Sequence, residues 1–259
     1  MPYIAPRDFR RTIEAFQIVR NRLKTTGSDF DEAVSTGAAL ALAALPAARV
    51  AGISTRYIES VSRTDGPSLS GRVLHALRFS ALEAQHAGWA TGRWKHRPSV
   101  MSTYRAVERT QIASNPKIFV TLGTIKPYRF DSAVDAVLRT GLANDETVWQ
   151  LGSTTREGLP GIIYETVEND HFESLVKDAD VVITHSGVGS ILKILGLGKY
   201  PVVLPRDKSR GEHVDDHQMQ IANLVSQSAI STAVDPLKLT RDDVLDASSR
   251  RVVDEGVGN

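Results

Sequence analysis

The sequence has no cysteine among its 259 residues. This excludes disulfides, a thiolate nucleophile and any zinc or iron–sulfur site built on thiolates. The first residues, MPYIAPRDFRR, carry no apolar stretch after their charges, so the sequence predicts no signal peptide. Net charge is also small, because 31 Lys and Arg against 30 Asp and Glu give +1, which at first sight argues against a strongly charged partner. The composition is that of a soluble globular protein with one large domain or two small ones.

A long uninterrupted apolar span is lacking as well. The most apolar run, 33–53, is broken by Pro46, by Arg49 and by the turn-like residues Ser35–Gly37. A membrane-spanning helix needs about 20 continuous apolar residues, so this run predicts a strand, a turn and a buried helix. Elsewhere in this half, apolar spacing predicts helices over 8–24 and 68–80, strands over 33–35 and 54–58, and an irregular segment over 89–100.

From Lys117 onward the chain alternates regularly between strand and helix patterns, which is typical of a parallel sheet with crossover helices. We therefore predict an α/β fold with a boundary within 108–116, which gives domains over 1–112 and 113–235 and a C-terminal tail or helix over 236–259. The predicted strands cover 118–122, 147–150, 161–164, 181–184 and 201–204, and the predicted helices cover 130–139, 171–178, 190–197 and 216–227.

The two predicted halves carry opposite charge. Residues 1–112 hold 16 Lys and Arg against nine Asp and Glu, whereas the remainder holds 15 against 21. The near-neutral total is thus a cancellation between +7 and −6. We expect the basic half to meet an anionic surface or a lipid phosphate, and the alternative is a protein interface or a merely solvated surface.

The segment VVITHSGVGSI, 181–191, joins a buried strand to a helix through a turn of small residues. Such a turn lets backbone N–H groups approach a ligand, and the helix N-terminus adds about half a positive charge. This arrangement suits a diphosphate, although its spacing matches neither G-x-G-x-x-G nor the P-loop. Open α/β sheets also need turns of this kind for structural reasons alone.

Two further segments follow strands of the same half. VTLGT, 120–124, places Gly123 after the first strand, and parallel strands end at one edge of a sheet. Gly123 and Gly187 are therefore expected to face one crevice. LPRDKSRGEHVDDHQ, 204–218, concentrates charged and amide side chains in a loop that opens a helix, and this predicts a pocket rim suited to a sugar.

Together these segments resemble a known family. Gly123, HSGVGS (185–190) and EHVDDHQ (212–218) resemble the donor-binding half of the family 28 glycosyltransferases, which have the GT-B fold of two Rossmann-like domains. Within that family the resemblance is to the dolichol- or polyprenyl-linked UDP-N-acetylglucosamine transferases, in a bacterial form that fuses the catalytic and membrane-recruiting subunits. The segments similar to the membrane-recruiting, acceptor-side subunit are STGAA (35–39), YIES (57–60), SRT (62–64) and SLSGR (68–72).

The resemblance implies an inverting glycosyltransferase that moves a sugar from a UDP-sugar to a polyprenyl-diphosphate-linked acceptor in cell-surface polysaccharide or glycolipid synthesis. It implies a cytoplasmic protein peripheral to the inner face of the membrane, with a partner subunit or a second copy of the chain as a further partner and no nucleic acid. No cofactor and no metal are expected, since no third ligand accompanies the His213 and His217 pair. The donor-site residues so implied are Gly123, Thr124, Gln150, Gly152, His185, Ser186, Gly187, Gly189, Ser190, Arg206, Glu212, His213, Asp216, His217 and Gln218.

The acceptor half supplies one candidate for catalysis. Glu59, at the end of the predicted strand 54–58, is the candidate general base for the acceptor hydroxyl. The alternative is a structural carboxylate that bonds to backbone or to Arg63. Trp89 and Trp94, among basic residues, predict an interfacial aromatic–basic cluster. A second function stays open, namely a non-catalytic nucleotide-sugar-binding or scaffold subunit that needs a partner chain.

Two features depart from the family pattern. The family usually has Asp or Glu three residues after Ser190, where it binds ribose hydroxyls, whereas Lys193 stands here and can only donate hydrogen bonds. The family's acceptor half also opens with a strand and a GGH-type loop, and this sequence begins after them. We therefore expect an incomplete N-terminal domain, from a gene start placed too far downstream, a truncated sequence or a piece supplied by another chain.

Overall fold

A computed structural model describes residues 8–26, 29–37, 39–110, 115–124, 126–213 and 217–256. The chain forms two compact units, Met1–Val100 and Met101–Asn259. The first holds 14 Lys and Arg against eight Asp and Glu, and the second holds 17 against 22. The predicted charge asymmetry therefore follows the division that the structure shows.

The first unit is built on a four-stranded sheet whose strands run in the order β1-β2-β3-β4, each parallel to its neighbour. Its core brings Leu45, Tyr57, Leu74, Leu82 and Trp94 together between the sheet and its helices. The described elements are α1 (Phe9–Thr26), β1 (Glu32–Ser35), α2 (Ala41–Val50), β2 (Ser54–Ile58), α3 (Leu69–Leu77), β3 (Ala81–Ala84) and β4 (Trp94–His96).

The second unit contains a six-stranded parallel sheet in the order β11-β10-β9-β6-β7-β8, and an antiparallel ribbon of β5 and β12. Phe119 and Val182, from adjacent strands, pack on Phe172, Val176 and Ile194 of the helices. Its elements are β5 (Tyr104–Glu108), β6 (Ile118–Thr121), α4 (Asp131–Arg139), β7 (Val148–Gln150), β8 (Ile162–Tyr164), α5 (Asn169–Asp178), β9 (Val181–His185), α6 (Val188–Gly196), β10 (Val202–Leu204), α7 (His217–Gln227), β11 (Thr232–Ala233), α8 (Arg241–Ser248) and β12 (Arg250–Asp254).

The strand order of this larger sheet fixes where a ligand can bind. From β6 the chain builds outward through β7 and β8, and then returns to the other side of β6 to add β9, β10 and β11. The order therefore reverses between β6 and β9. Ligands of open α/β sheets bind beyond the carboxyl ends of the strands at such a reversal, and here those ends are Thr121 and His185.

The structure corrects three predictions about organisation. The segment 89–100, predicted as irregular, contains β4, and β3 was also missed, because strands of three and four residues are too short to show a period. The boundary lies after Val100, not within 108–116, since β5 pairs with β12. The predicted C-terminal tail or helix over 236–259 is therefore part of the second unit and contributes both α8 and β12.

The aromatic–basic cluster also needs revision. Trp94 is a core residue, only 5% exposed, and its ring packs edge-on against Tyr57 and Trp89. Trp89 is half-buried, and its indole N–H donates to the carbonyl of Arg63 at 2.9 Å. The pair fills the first unit rather than forming an exposed aromatic surface.

Candidate functional site

A cavity of about 390 Å³ opens at the predicted edge of the larger sheet. The carboxyl ends of β6, β7 and β9 and the first turns of α5 and α6 surround it. The N-termini of two helices therefore meet in one cavity, where unpaired N–H groups and the helix dipoles favour an anion. Its lining residues are Thr121, Gly123, Thr124, Gln150, Val167, Asn169, Phe172, His185, Gly189, Ser190 and Lys193.

His185 lies between two glycines that leave room for its ring. A Cβ at Gly123 would fall 2.8 Å from His185 Nε2, and one at Gly187 would fall 2.3 Å from the same atom. Gly123 also has φ +77°, a conformation that L side chains rarely adopt. The two glycines therefore bring the loop after β6 and the cap of α6 against one imidazole.

The electrostatic setting keeps this imidazole neutral. The pKa of His185 is lowered to about 4, chiefly by burial and then by the positive charge of Arg206, while a hydrogen bond to the Thr121 backbone opposes both. A neutral imidazole offers one N–H donor and one acceptor nitrogen. Among the described residues, the buried His185 Nδ1 and the buried hydroxyl of Ser186 have no hydrogen-bond partner, and of these two residues only His185 lines the cavity.

Gln150 ends β7 and Gly152 follows it, but the two residues line different cavities. Gln150 lines the cavity, and its Oε1 accepts a hydrogen bond from the Thr121 hydroxyl at 3.1 Å. Gly152 lines an adjacent cavity of about 580 Å³. A Cβ there would lie 1.8 Å from the carbonyl oxygen of Gly123, so this glycine allows the loops after β6 and β7 to touch.

Arg206 is fully buried and does not line the cavity. Its guanidinium donates to the carbonyls of Leu122 at 2.6 Å, Glu212 at 2.9 Å and Tyr128 at 3.0 Å, and it lies 4.8 Å from the centre of the Phe130 ring. Burial lowers its pKa to about 10, which still leaves a cation at neutral pH. Arg206 therefore joins the loop after β6 to the loop after β10.

The remaining residues of the EHVDDHQ segment are engaged by the protein where the structure describes them. The Glu212 carboxylate accepts hydrogen bonds from the Ser132 hydroxyl, from the Asp207 N–H at 3.0 Å and from Arg210 at 3.1 Å. Gln218 Oε1 accepts from the Arg206 N–H at 3.1 Å. The His213 ring lies 6.1 Å from that of Tyr128. Asp216 and the side chain of His217 lie outside the described residues.

Six predicted donor-site residues thus line the cavity, and sequence reasoning missed several others. Sequence motifs mark the strand-end turns but not the helix that faces them. Asn169 and Phe172 belong to α5, whose amphipathic pattern also fits an ordinary crossover helix, so no motif marks them. The residues confirmed as lining are Gly123, Thr124, Gln150, His185, Gly189 and Ser190, and those missed are Thr121, Val167, Asn169 and Phe172.

Glu59 has the surroundings of a structural carboxylate. It is 1% exposed, and it accepts hydrogen bonds from the Tyr57 hydroxyl, the Ser60 N–H, and the N–H and hydroxyl of Ser68 at 2.8–3.0 Å. A Cβ at Gly71 would lie 2.4 Å from its Oε2. These four donors use the lone pairs that a general base needs. The geometry therefore favours the structural alternative for Glu59, with Ser68 among its partners.

Neither a metal cluster nor a spanning helix is found in the part of the chain that the structure describes. No three His, Asp or Glu side chains among these residues are grouped to hold a metal ion. None of the described helices combines the length and the apolar character needed to cross a bilayer.

Comparisons with known proteins now give the class. Residues 124–243 match the model of the glycosyltransferase family 28 C-terminal domain, a range that holds nine of the 11 cavity-lining residues. No curated protein matches the sequence significantly. Most of the residues that line the cavity therefore lie in a region similar to the family 28 C-terminal domain.

Solved structures share the fold at low identity. MurG of Acinetobacter baumannii aligns with a TM-score of 0.53 and 16% identity, covering 95% of this chain and 71% of MurG. The glycosyltransferase SnogD of Streptomyces nogalater aligns at 0.51 and 17%, covering 93% and 74%. A provisionally named UDP-N-acetylglucosamine 2-epimerase of Listeria monocytogenes aligns at 0.50 and 11%, covering 96% and 77%. Since the fold alone also accommodates an epimerase, the family 28 domain decides the class.

The chain is therefore a glycosyltransferase of the UDP-sugar-dependent kind with the GT-B fold. The narrower resemblance, to the fused dolichol- or polyprenyl-linked N-acetylglucosamine transferases, goes beyond what these comparisons establish.

Proposed function

We propose that this protein transfers a sugar, with N-acetylglucosamine as the first candidate, from a UDP-sugar to a polyprenyl-diphosphate-linked acceptor at a membrane surface. The product would serve the synthesis of a cell-surface polysaccharide or glycolipid. The observation that carries the proposal is the cavity at the reversal of strand order, which lies in the family 28 domain and is bounded by two helix N-termini.

The cavity fits the diphosphate of such a donor. The first backbone N–H groups of α6, at Val188, Gly189 and Ser190, are not used within the helix and lie at its N-terminus. Gly189 has open space where a side chain would stand. The ring of His185 lines the same cavity. A phosphate in this position would be held mainly by fixed backbone dipoles.

The reaction that follows is a displacement at the anomeric carbon. An acceptor hydroxyl oxygen forms a bond to that carbon while the bond to the diphosphate oxygen breaks, and the configuration inverts. UDP leaves with the bonding electron pair, and a general base takes the hydroxyl proton. Positive ends of helix dipoles that already point at the diphosphate stabilise the charge that develops on it. We expect no metal ion to be required for this step.

An exposed apolar face of the first unit supports a membrane-bound acceptor. Leu69, Val73 and Leu77 follow one another at intervals of four residues along α3 and are 58%, 37% and 50% exposed. Arg72 and Arg78 are exposed beside them. Apolar side chains flanked by basic ones are typical of helices that lie in the interface of anionic membranes, and this unit has six more basic than acidic residues.

Two experiments test the proposal in sequence. Isothermal titration calorimetry with UDP comes first, with wild type compared with His185→Ala. We expect about tenfold weaker binding in the variant, because the ring that lines the cavity and packs between Gly123 and Gly187 is lost. Absence of UDP binding by the wild type at millimolar concentration would remove the proposal.

The second experiment measures transfer of labelled sugar from UDP-N-acetylglucosamine to a polyprenyl-diphosphate-linked acceptor in membranes, with and without a chelator. Transfer unaffected by the chelator is the expected result. UDP binding without transfer to any lipid-linked acceptor would instead favour a nucleotide-sugar-binding subunit that needs a partner chain.

A further inference from the structure

Among the cavity-lining residues that the structure describes, one carries a formal charge, the ammonium of Lys193. Among the described lining residues none is Asp or Glu, and His185 is neutral at physiological pH. This is unusual in a unit with five more acidic than basic residues. The charge on the described lining is therefore positive, which is the sign expected for an anion site.

The contacts of Lys193 hold its ammonium at the cavity without burying it in an ion pair. Nζ bonds to the side-chain oxygen of Asn169, lies 3.3 Å from the Asn169 carbonyl and 3.5 Å from a Glu173 carboxylate oxygen. It also lies 4.9 Å from the centre of the Phe172 ring. Two of the three oxygen contacts are long, so a stronger acceptor can replace them.

The place of Lys193 on α6 directs it toward the N-terminal end of that helix. Ser190 and Lys193 are three residues apart and so share a face of α6, and both line the cavity. Side chains on a helix lean toward its N-terminus. The ammonium and the unpaired N–H groups of the first turn of α6 therefore act on the same space.

We propose that Lys193 is an anion-binding, specificity-determining residue of the donor site, and that its ammonium contacts a phosphate of the bound nucleotide. The inference rests on the proposed function, because the nucleotide is the ligand of this cavity. Lys can only donate hydrogen bonds, so it reads the phosphates and not a hydroxyl that must donate. In the reaction the same contact would neutralise part of the charge on the departing diphosphate.

Calorimetry with UDP and with uridine separates this role from a structural one. In Lys193→Gln we expect UDP to bind about tenfold more weakly, since a charge-assisted hydrogen bond is lost, and uridine to bind as in the wild type. Lys193→Arg, which keeps the charge, should retain most of the UDP affinity. Raising the ionic strength should weaken UDP binding more in the wild type than in Lys193→Gln.

The substitution Glu173→Gln should change the affinity for UDP in the opposite direction. It removes the carboxylate that competes with the phosphate for the ammonium, so UDP should bind more tightly than in the wild type while uridine is unaffected. An increase in uridine affinity of the same size would show a general change in the cavity and would count against a phosphate contact.

Three results would overturn the inference. They are unchanged UDP affinity in Lys193→Gln, equal losses for UDP and uridine, and a loss seen with UDP-glucuronate but not with UDP, which would assign the ammonium to a sugar carboxylate. Wild type that binds no UDP at all removes the proposed function together with this inference. Normal UDP binding by the wild type with unchanged binding by Lys193→Gln removes this inference alone.

Discussion

His185 combines two structural properties that bear on its proposed role in binding. Its ring is confined between Gly123 and Gly187, and its Nδ1 has no partner within the described residues. Confinement fixes the ring in place before a ligand arrives, and so reduces the entropy lost on binding. The same burial that confines the ring lowers its pKa to about 4, so the folded state resists protonation.

This pKa predicts how stability depends on pH. In the unfolded chain His185 takes up a proton near pH 6.5, whereas the folded protein does so near pH 4. The stabilisation is therefore complete above about pH 6.5 and is lost as the pH falls toward 4, by up to about 1.4 kcal/mol per pH unit. Urea denaturation of the wild type and His185→Asn across this range should show a shallower fall in the variant. Parallel curves would contradict the prediction.

Arg206 does not line the cavity, but it holds the loops that border it in place. Replacement by Met leaves the carbonyls of Leu122, Tyr128 and Glu212 without their buried donor. We expect Arg206→Met to lower the free energy of unfolding by about 3 kcal/mol and to weaken UDP binding through the displaced loops. Lys208→Met, at an exposed cation of the same loop, is the control and should change stability by less than about 0.5 kcal/mol. Equal effects of the two variants, measured by urea denaturation, would exclude this role.

At the scale of elements, the loops after β6 and β7 are set by their contact at Gly152. This residue has φ +62°, and a Cβ would lie 1.8 Å from the Gly123 carbonyl oxygen. Gly158 has φ +71°, but a Cβ there would have nothing within 4 Å. A side chain at this position would therefore strain the backbone conformation without a steric clash. Comparing substitutions at Gly152 and Gly158 therefore distinguishes the cost of backbone strain from the cost of a steric clash.

We therefore predict different outcomes for two Gly→Ala variants. Gly158→Ala should lose about 1–2 kcal/mol of stability and keep its affinity for UDP. Gly152→Ala should lose about 3 kcal/mol or more, and it should bind UDP more weakly because the loop that carries Gly123 must move. Thermal denaturation and calorimetry measure both quantities. Equal stabilities with unchanged UDP binding would mean that the two loops do not depend on this contact.

The exposed face of α3 carries its own prediction. Replacing Leu69 and Leu77 by Ser removes two apolar side chains that would enter the membrane interface, each with about 1.5–3 kcal/mol of transfer free energy when fully buried. Sedimentation with anionic vesicles should show at least tenfold weaker binding of the double variant. Leu237→Ser, at a residue of the second unit that is 63% exposed, is the control and should bind like the wild type. Unchanged binding of the double variant would exclude this face of α3.

At the scale of the whole molecule, the position of the boundary can be tested with fragments. The second unit has its own core, and β5 pairs with β12 over five residue pairs from Arg250 opposite Glu108 to Asp254 opposite Tyr104. A fragment of residues 101–259 should fold cooperatively and bind UDP like the full chain. A fragment of 113–259 lacks β5, leaves β12 unpaired and should be less stable in urea. Equal stability of the two fragments would contradict the boundary after Val100.

The local spacing of apolar residues was sufficient to predict those helices and strands that are long enough to repeat that spacing. The prediction of β2 over 54–58 is confirmed, and most helices are confirmed to within a few residues, because each repeats its apolar spacing. The strands β3, β4, β5, β11 and β12 were not predicted. They pair with strands distant in sequence, as β12 does with β5. The sequence of a short strand contains little information about which strand it pairs with.

The site divides in the same way. The glycine turns at Gly123 and Gly187–Ser190 could be read from sequence, because backbone approach to a ligand requires small residues at strand ends. The sequence by itself thus determined the α/β class, the unequal charge of the two halves and the edge of the sheet at which the cavity opens. Only the tertiary structure decided that Arg206 and Glu59 are buried in hydrogen bonds, that α5 lines the cavity and that Lys193 is the charged residue of its described lining. The physical reason is that burial and the pairing of charges depend on neighbours that the fold brings together from distant parts of the chain.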